Sequence, residues 1–149
     1  MMESGYKKFY EHAEKLNNFL NEHNINGSVR FDILNVKEIE PTEYSNIIDT
    51  DEYKELTEDI IKNGVIPLFV SDIEGGTYTI WDGNHRYFIL KKIGVERIPV
   101  YIYNGEDFAG VEIGFFDYYN NNGPLIYVNP NNFINEVRKI VRKSLEGLL

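Results

Sequence analysis

Five consecutive residues, Asp82-Gly83-Asn84-His85-Arg86, combine the donors, the small residue and the carboxylate that phosphate chemistry calls for. Gly83 removes a side chain, so a ligand can approach the backbone closely. A helix beginning near Asn84 turns unpaired backbone N–H groups and a partial positive charge toward the same corner. His85 and Arg86 add donors in what is expected to be an exposed first turn. Together these residues predict a phosphate seat. Asp82 fits in two ways: as the N-cap of the helix, or as the holder of a metal ion placed between its charge and the phosphate. The plainer role for His85 and Arg86 is a solvated first turn.

The elements around this corner can be read outward from it. Thr77 to Trp81 alternate β-branched and aromatic residues, which predicts a strand. Asp82-Gly83-Asn84 stop it. Phe88, Ile89 and Ile93 then share a helical face, with Lys91 and Lys92 near the end and Gly94 as the C′ residue. Ile98 to Tyr103 restore the strand pattern, Pro99 marking a strand start or an edge. The expected unit is βαβ-like, with the charged cluster at its first corner.

Upstream, 29–39 reads as one or two strands ended by Pro41, which Glu40 and Glu43 flank. Solvation in a loop is the ordinary fate of either acid. A loop at 46–50 leads to a helix over 52–63, capped by Thr50 or Asp51, with Tyr53, Leu56 and Ile60 on its buried face and Gly64 as its stop. Residues 65–72 form a strand, and Glu74-Gly75-Gly76 turn it into a hairpin with the next. At the start of the chain, Phe9, Ala13, Leu16 and Leu20 make the apolar stripe of a helix over 6–23, His12 and His23 falling on its polar face. Beyond Tyr103, 111–119 and 125–128 suggest a second hairpin around the Asn120–Pro124 turn. A last helix from about 129 carries Phe133, Val137, Ile140 and Leu145, with Arg138, Lys139, Arg142 and Lys143 on a solvated face.

The 149 residues suit one domain. A net charge of −9 disfavours duplex DNA, which selects a surplus of bases. No cysteine is present, so disulfides and thiolate metal sites are excluded. Apolar runs too short to span a bilayer, and the lack of a secretory leader, place the protein in the cytoplasm by expectation.

At I-E-P-T-E-Y (39–44), L-T-E-D-I-I-K-N-G-V-I-P-L-F-V (56–70) and D-G-N-H-R-Y (82–87), the chain resembles the ParB/sulfiredoxin superfamily. The resemblance implies an α+β fold: a small mixed sheet flanked by short helices, its core at about 34–103, with a helix at 6–23 and an extension at 104–149 added. The free serine kinases of this fold are similar in having Pro-x-Glu at the first block and D-G-x-H-R at the last. That similarity implies phosphoryl transfer or nucleotide hydrolysis, with Glu43 as general base and Asp82 holding Mg²⁺ or the acceptor. Gly83, Asn84, His85 and Arg86 would seat the phosphates of ATP, ADP or CTP, the acceptor being a small molecule or a protein. Partition ParB proteins carry G-E-R-R where this chain has Gly83-Asn84-His85-Arg86. A DNA-associated protein or nuclease, or a non-catalytic nucleotide-gated interaction module, is thus the alternative. Sulfiredoxin resembles the chain through G-C-H-R, but its catalytic cysteine falls at Asn84, so reductase chemistry is excluded.

Overall fold

The computed structural model describes residues 6–42, 51–73 and 76–127. Within them, five strands make one mixed sheet: β1 (Ser28–Asn35), β2 (Ile39–Glu40), β3 (Leu68–Ile73), β4 (Thr77–Asp82) and β5 (Arg97–Asn104). Their order is β1-β5-β3-β4-β2. The β3–β4 hairpin forms as its alternation and turn predict, with Val70 opposite Ile80. β3 also runs parallel to β5, from Leu68 beside Val100 to Ser71 beside Tyr103. β4 and β5 are therefore antiparallel and separated by β3. The expected parallel βαβ unit does not arise, because the hairpin partner of β4 occupies the position next to β5. Pro99 sits inside an interior strand rather than at an edge. Pairing to β3 begins one residue later, at Val100, so the missing N–H breaks no ladder on that side.

β5 is buried from Ile98 through Tyr103. Alternate side chains of a strand point to opposite faces, so the strand is covered on both. On one face lies α1 (Lys7–Glu22), whose predicted stripe of Phe9, Ala13, Leu16 and Leu20 is buried. Phe9 stacks on Phe31 of β1 with ring centroids 4.9 Å apart. Asn17 closes part of the open edge of β1, donating to the Val29 carbonyl at 2.8 Å and accepting its N–H at 2.7 Å. His12 departs from expectation. It is only 2% exposed and faces Tyr101, with centroids 5.1 Å apart. The apolar stripe is wider than its hydrophobic residues suggest, because a later helix covers that side as well.

That helix replaces the second hairpin. Residues 108–122 fold as α4 (Phe108–Glu112) and α5 (Phe115–Asn122), following α2 (Asp51–Asn63) and α3 (Asn84–Lys92) in the chain. Asp107 caps α4 by accepting from the Gly110 N–H at 3.0 Å. Phe115 and Tyr119, one helical turn apart, pack on Phe69 of β3 at 5.1 and 5.4 Å. Residues four apart share a face in a helix and in a strand alike, so the packing on Phe69, and not the spacing, distinguishes the two. Of the strand expected at 125–128, the described residues 125–127 show a single antiparallel bridge, Ile126 with Val65. The last helix expected from about 129, and the 46–50 loop, lie outside the described residues. No helix among the described residues is long and apolar enough to cross a membrane.

Candidate functional site

The site grows from the junction of β4 and α3. Gly83 is the N-cap of α3, with φ at +117°. A Cβ on it would lie 2.9 Å from Arg86 Nη2 and 3.1 Å from Leu68 Cγ, so both conformation and space demand glycine there. Asp82 therefore does not cap the helix, and the first-turn N–H groups have no side-chain cap. α3 is held by its buried Tyr87, Phe88, Ile89 and Leu90. α2 secures the same turn from outside: the buried Tyr53 donates its hydroxyl to the His85 carbonyl at 2.9 Å. Burial raises the Tyr53 hydroxyl to about 12, so it remains a donor. The His85 side chain is exposed at the rim.

Arg86 is not the exposed first-turn residue the sequence suggests, its side chain being 15% exposed. Nη1 donates to the carbonyls of Ile66 and Pro67 at 2.9 and 3.2 Å. Nη2 lies 3.2 Å from Asp82 Oδ2, and the guanidinium carbon stands 5.8 Å from the Tyr119 ring centre. The guanidinium thus braces the segment entering β3 against the end of β4. Asp82 Oδ2 also accepts from Asn120 Nδ2 of α5 at 2.9 Å.

Asn84 is engaged as well. Its Oδ1 accepts from the Thr42 N–H at 2.9 Å, and its Nδ2 donates to Thr42 Oγ1 at 3.0 Å. Thr42 Oγ1 in turn donates to the Ile80 carbonyl at 3.1 Å. This latch fixes the end of the 39–42 segment against the α3 N-terminus. Glu43, the next residue, lies outside the described residues.

A cleft of about 500 Å³ opens over this corner. Its lining includes aliphatic residues, Leu56, Ile60, Val65, Ile66 and Leu125, and polar ones, Asp82, Gly83, Asn84, His85, Arg86 and Asn120, with Asp59 contributed by α2. Gly64 lets the walls meet, since a Cβ there would lie 2.7 Å from the Ile126 carbonyl oxygen. The structure so gathers Asp82, Gly83, Asn84, His85 and Arg86 on one lining. It adds Asn120 and Asp59, which sequence reasoning missed. Asp59 could have been found one turn after Leu56 on the same helix. Asn120 carried no signal, being read as part of a turn.

Among the described residues no group of three or more His, Asp or Glu could hold a metal ion. The cleft offers Asp82, with one oxygen engaged by Arg86 and Asn120, and Asp59, whose Oδ1 accepts from Asn63 at 2.6 Å. That donor set suits Mg²⁺ carried in by phosphates, which takes one or two protein carboxylates, and not a protein-built cage.

Residues 20–116 match the ParB N-terminal domain family. No curated protein matches the chain. Among solved structures, it is similar to a free serine kinase in complex with AMP, at 25% identity and a TM-score of 0.42, over 48% of this chain and 30% of that one. Sulfiredoxin from Arabidopsis thaliana is 27% identical with a TM-score of 0.41, over 51% of this chain and 86% of that one. The chromosome-partitioning protein ParB from Caulobacter crescentus, C-terminally truncated and complexed with CTP-gamma-S, is 19% identical with a TM-score of 0.47, over 59% and 52%. The chain spans about a third of the length of the free serine kinase. With a match that runs from the end of α1 to the start of α5, well over half its length, the chain belongs to the ParB N-terminal domain family.

Proposed function

We propose that this protein binds a nucleoside phosphate in the cleft and acts on its phosphoryl group. The observation that carries this reading is the make-up of the cleft lining. It combines a glycine-opened helix N-terminus and its polar neighbours with aliphatic residues suited to a sugar and base. The phosphates would lie on the backbone N–H groups of 83–86 with His85 beside them. Arg86 would contribute positive charge from its braced position rather than as a free fork. Mg²⁺, when bound with the nucleotide, supplies charge neutralisation, with Asp82 as its protein ligand. Glu43 would take the proton of an acceptor hydroxyl, on a small molecule or a protein, as its oxygen bonds to the terminal phosphorus and the bond to the bridging oxygen breaks, the nucleotide leaving one phosphate shorter. ATP, ADP and CTP are the candidate nucleotides. We place the protein in the cytoplasm, where a chain without cysteine is at no disadvantage.

A non-catalytic, nucleotide-gated module is the second reading. It is favoured by the engagement of the Arg86 guanidinium with protein oxygens and by exposed Tyr10, Phe108 and Ile113, which suit a partner surface. A DNA-associated protein or nuclease is disfavoured by the acidic charge, to which the cleft itself adds Asp59 and Asp82. A thermal-shift screen of ATP, ADP, CTP and GTP, with and without Mg²⁺, tests the binding. A ligand at one hundred times its Kd adds about 2.7 kcal/mol to stability. Loss of turnover without loss of binding in Glu43→Gln supports catalysis; binding with no turnover in the wild type supports the module. No shift with any nucleotide contradicts both.

A further inference from the structure

Asn120 lies beyond the residues that match the family, yet its amide lines the cleft. Its helix is fixed from behind, since the neighbouring Tyr119 is fully buried against Phe69 and Tyr101. Asn120 Nδ2 donates to Asp82 Oδ2 at 2.9 Å, and Arg86 Nη2 approaches the same oxygen at 3.2 Å. A hydrogen bond from one helix and an ion pair from another meet on one oxygen and bias the rotation of the carboxylate. Oδ1 is the oxygen that neither of them binds. Arg86 alone would fix this less well, because its other nitrogen is committed to the Ile66 and Pro67 carbonyls. The chemistry of the second donor matters too. A lysine or arginine at 120 would add a second positive charge beside Asp82 to that of Arg86, whereas a neutral amide orients the carboxylate without adding one.

We infer that Asn120 is a positioning residue for Asp82, holding the carboxylate so that Oδ1 is presented to a divalent cation carried by nucleotide phosphates. This rests on the nucleotide reading above. It makes the segment after β5 part of the site rather than an appendage to it.

The test titrates the full chain with ATP and with CTP by calorimetry, first in EDTA and then across a series of MgCl₂ concentrations. Wild type, Asn120→Ala and Asn120→Gln are compared, each checked for folding by circular dichroism. In EDTA the Ala variant is expected to bind within about two-fold of wild type. Its Mg²⁺ concentration for half the gain in affinity should rise about ten-fold, as loss of an outer partner of a metal ligand does. Asn120→Gln, which keeps the donor amide, should return part of that loss. An unchanged Mg²⁺ requirement in Asn120→Ala overturns the inference. So does an equal loss of affinity in EDTA and in Mg²⁺, which would make Asn120 only a wall of the cleft. Wild-type binding indifferent to Mg²⁺ overturns the inference and leaves the nucleotide reading standing. Binding of neither nucleotide under either condition overturns both.

Discussion

Arg86 in the first turn of α3 reaches back across Gly83 to Asp82 at the end of β4, with Nη2 3.2 Å from Oδ2, while its other terminal nitrogen holds the carbonyls of Ile66 and Pro67. The residue that looks most like a surface phosphate ligand is thus a brace between the α2–β3 connection and the β4–α3 corner. Arg86→Ala would leave two carbonyls without their donor and the Asp82 carboxylate without its cation. It is expected to lower stability by about 2–3 kcal/mol, measured by urea denaturation. Arg86→Lys should recover little, because one ammonium cannot reproduce a planar fork directed at three oxygens. A change within about 0.5 kcal/mol, the range of ordinary surface substitutions, would contradict the brace.

Gly83→Ala should be more damaging than its size suggests. The residue sits at φ +117°, and the added methyl would meet the Arg86 guanidinium and Leu68. Strain in the backbone and displacement of the brace together predict a loss of at least about 1–3 kcal/mol. Nucleotide binding should fall with it, which thermal melting with and without nucleotide would show.

The Asn84–Thr42 latch predicts coupling. Asn84→Ala and Thr42→Ala should each cost about 1–2 kcal/mol by leaving a partner without its bond. Because both remove the bond from Asn84 Nδ2 to Thr42 Oγ1, the double variant should cost less than the sum. Additive losses in a double-mutant cycle would show that the two residues act independently.

His12 gives the stability a pH dependence. Burial, aided by Lys15, lowers its pKa from 6.5 to about 4. Above pH 6.5 both folded and unfolded chains carry it neutral, and it has no effect. As pH falls from 6.5 toward 4, the unfolded chain takes up a proton that the folded chain refuses, so stability drops. Between pH 7 and pH 5 the contribution lost is about 2 kcal/mol. Denaturation curves at the two pH values should show this fall in the wild type, and His12→Phe should remove that part of it. Equal pH slopes in the two proteins would contradict the assignment.

What could be read in advance was chemistry close in the chain. The strand, turn and helix around Gly83 follow from residues within one turn of each other, and so did the stripe of α1. What could not be read depended on distant partners. The carbonyls that hold Arg86 lie twenty residues upstream, so nothing near it in the chain signals a brace. His12 is buried because α5, more than a hundred residues later, brings Tyr119 to its side. α5 itself was hidden by aromatics dense enough to satisfy a strand pattern as well as a helical one, until Phe69 selected Phe115 and Tyr119. Asn120 entered the site only through that choice.

Phosphate seated on the 83–86 turn would be reported directly by the backbone amide resonances there. An isotope-labelled sample would be titrated with ATP, ADP and CTP, each with Mg²⁺, while ¹H–¹⁵N correlation spectra are recorded. The expected result is saturable movement largest at the amides of Gly83, Asn84, His85 and Arg86, with smaller changes at Leu56, Ile60 and Leu125 of the cleft lining. Spectra that do not move with any of the three, or whose largest changes fall away from this turn, would contradict it.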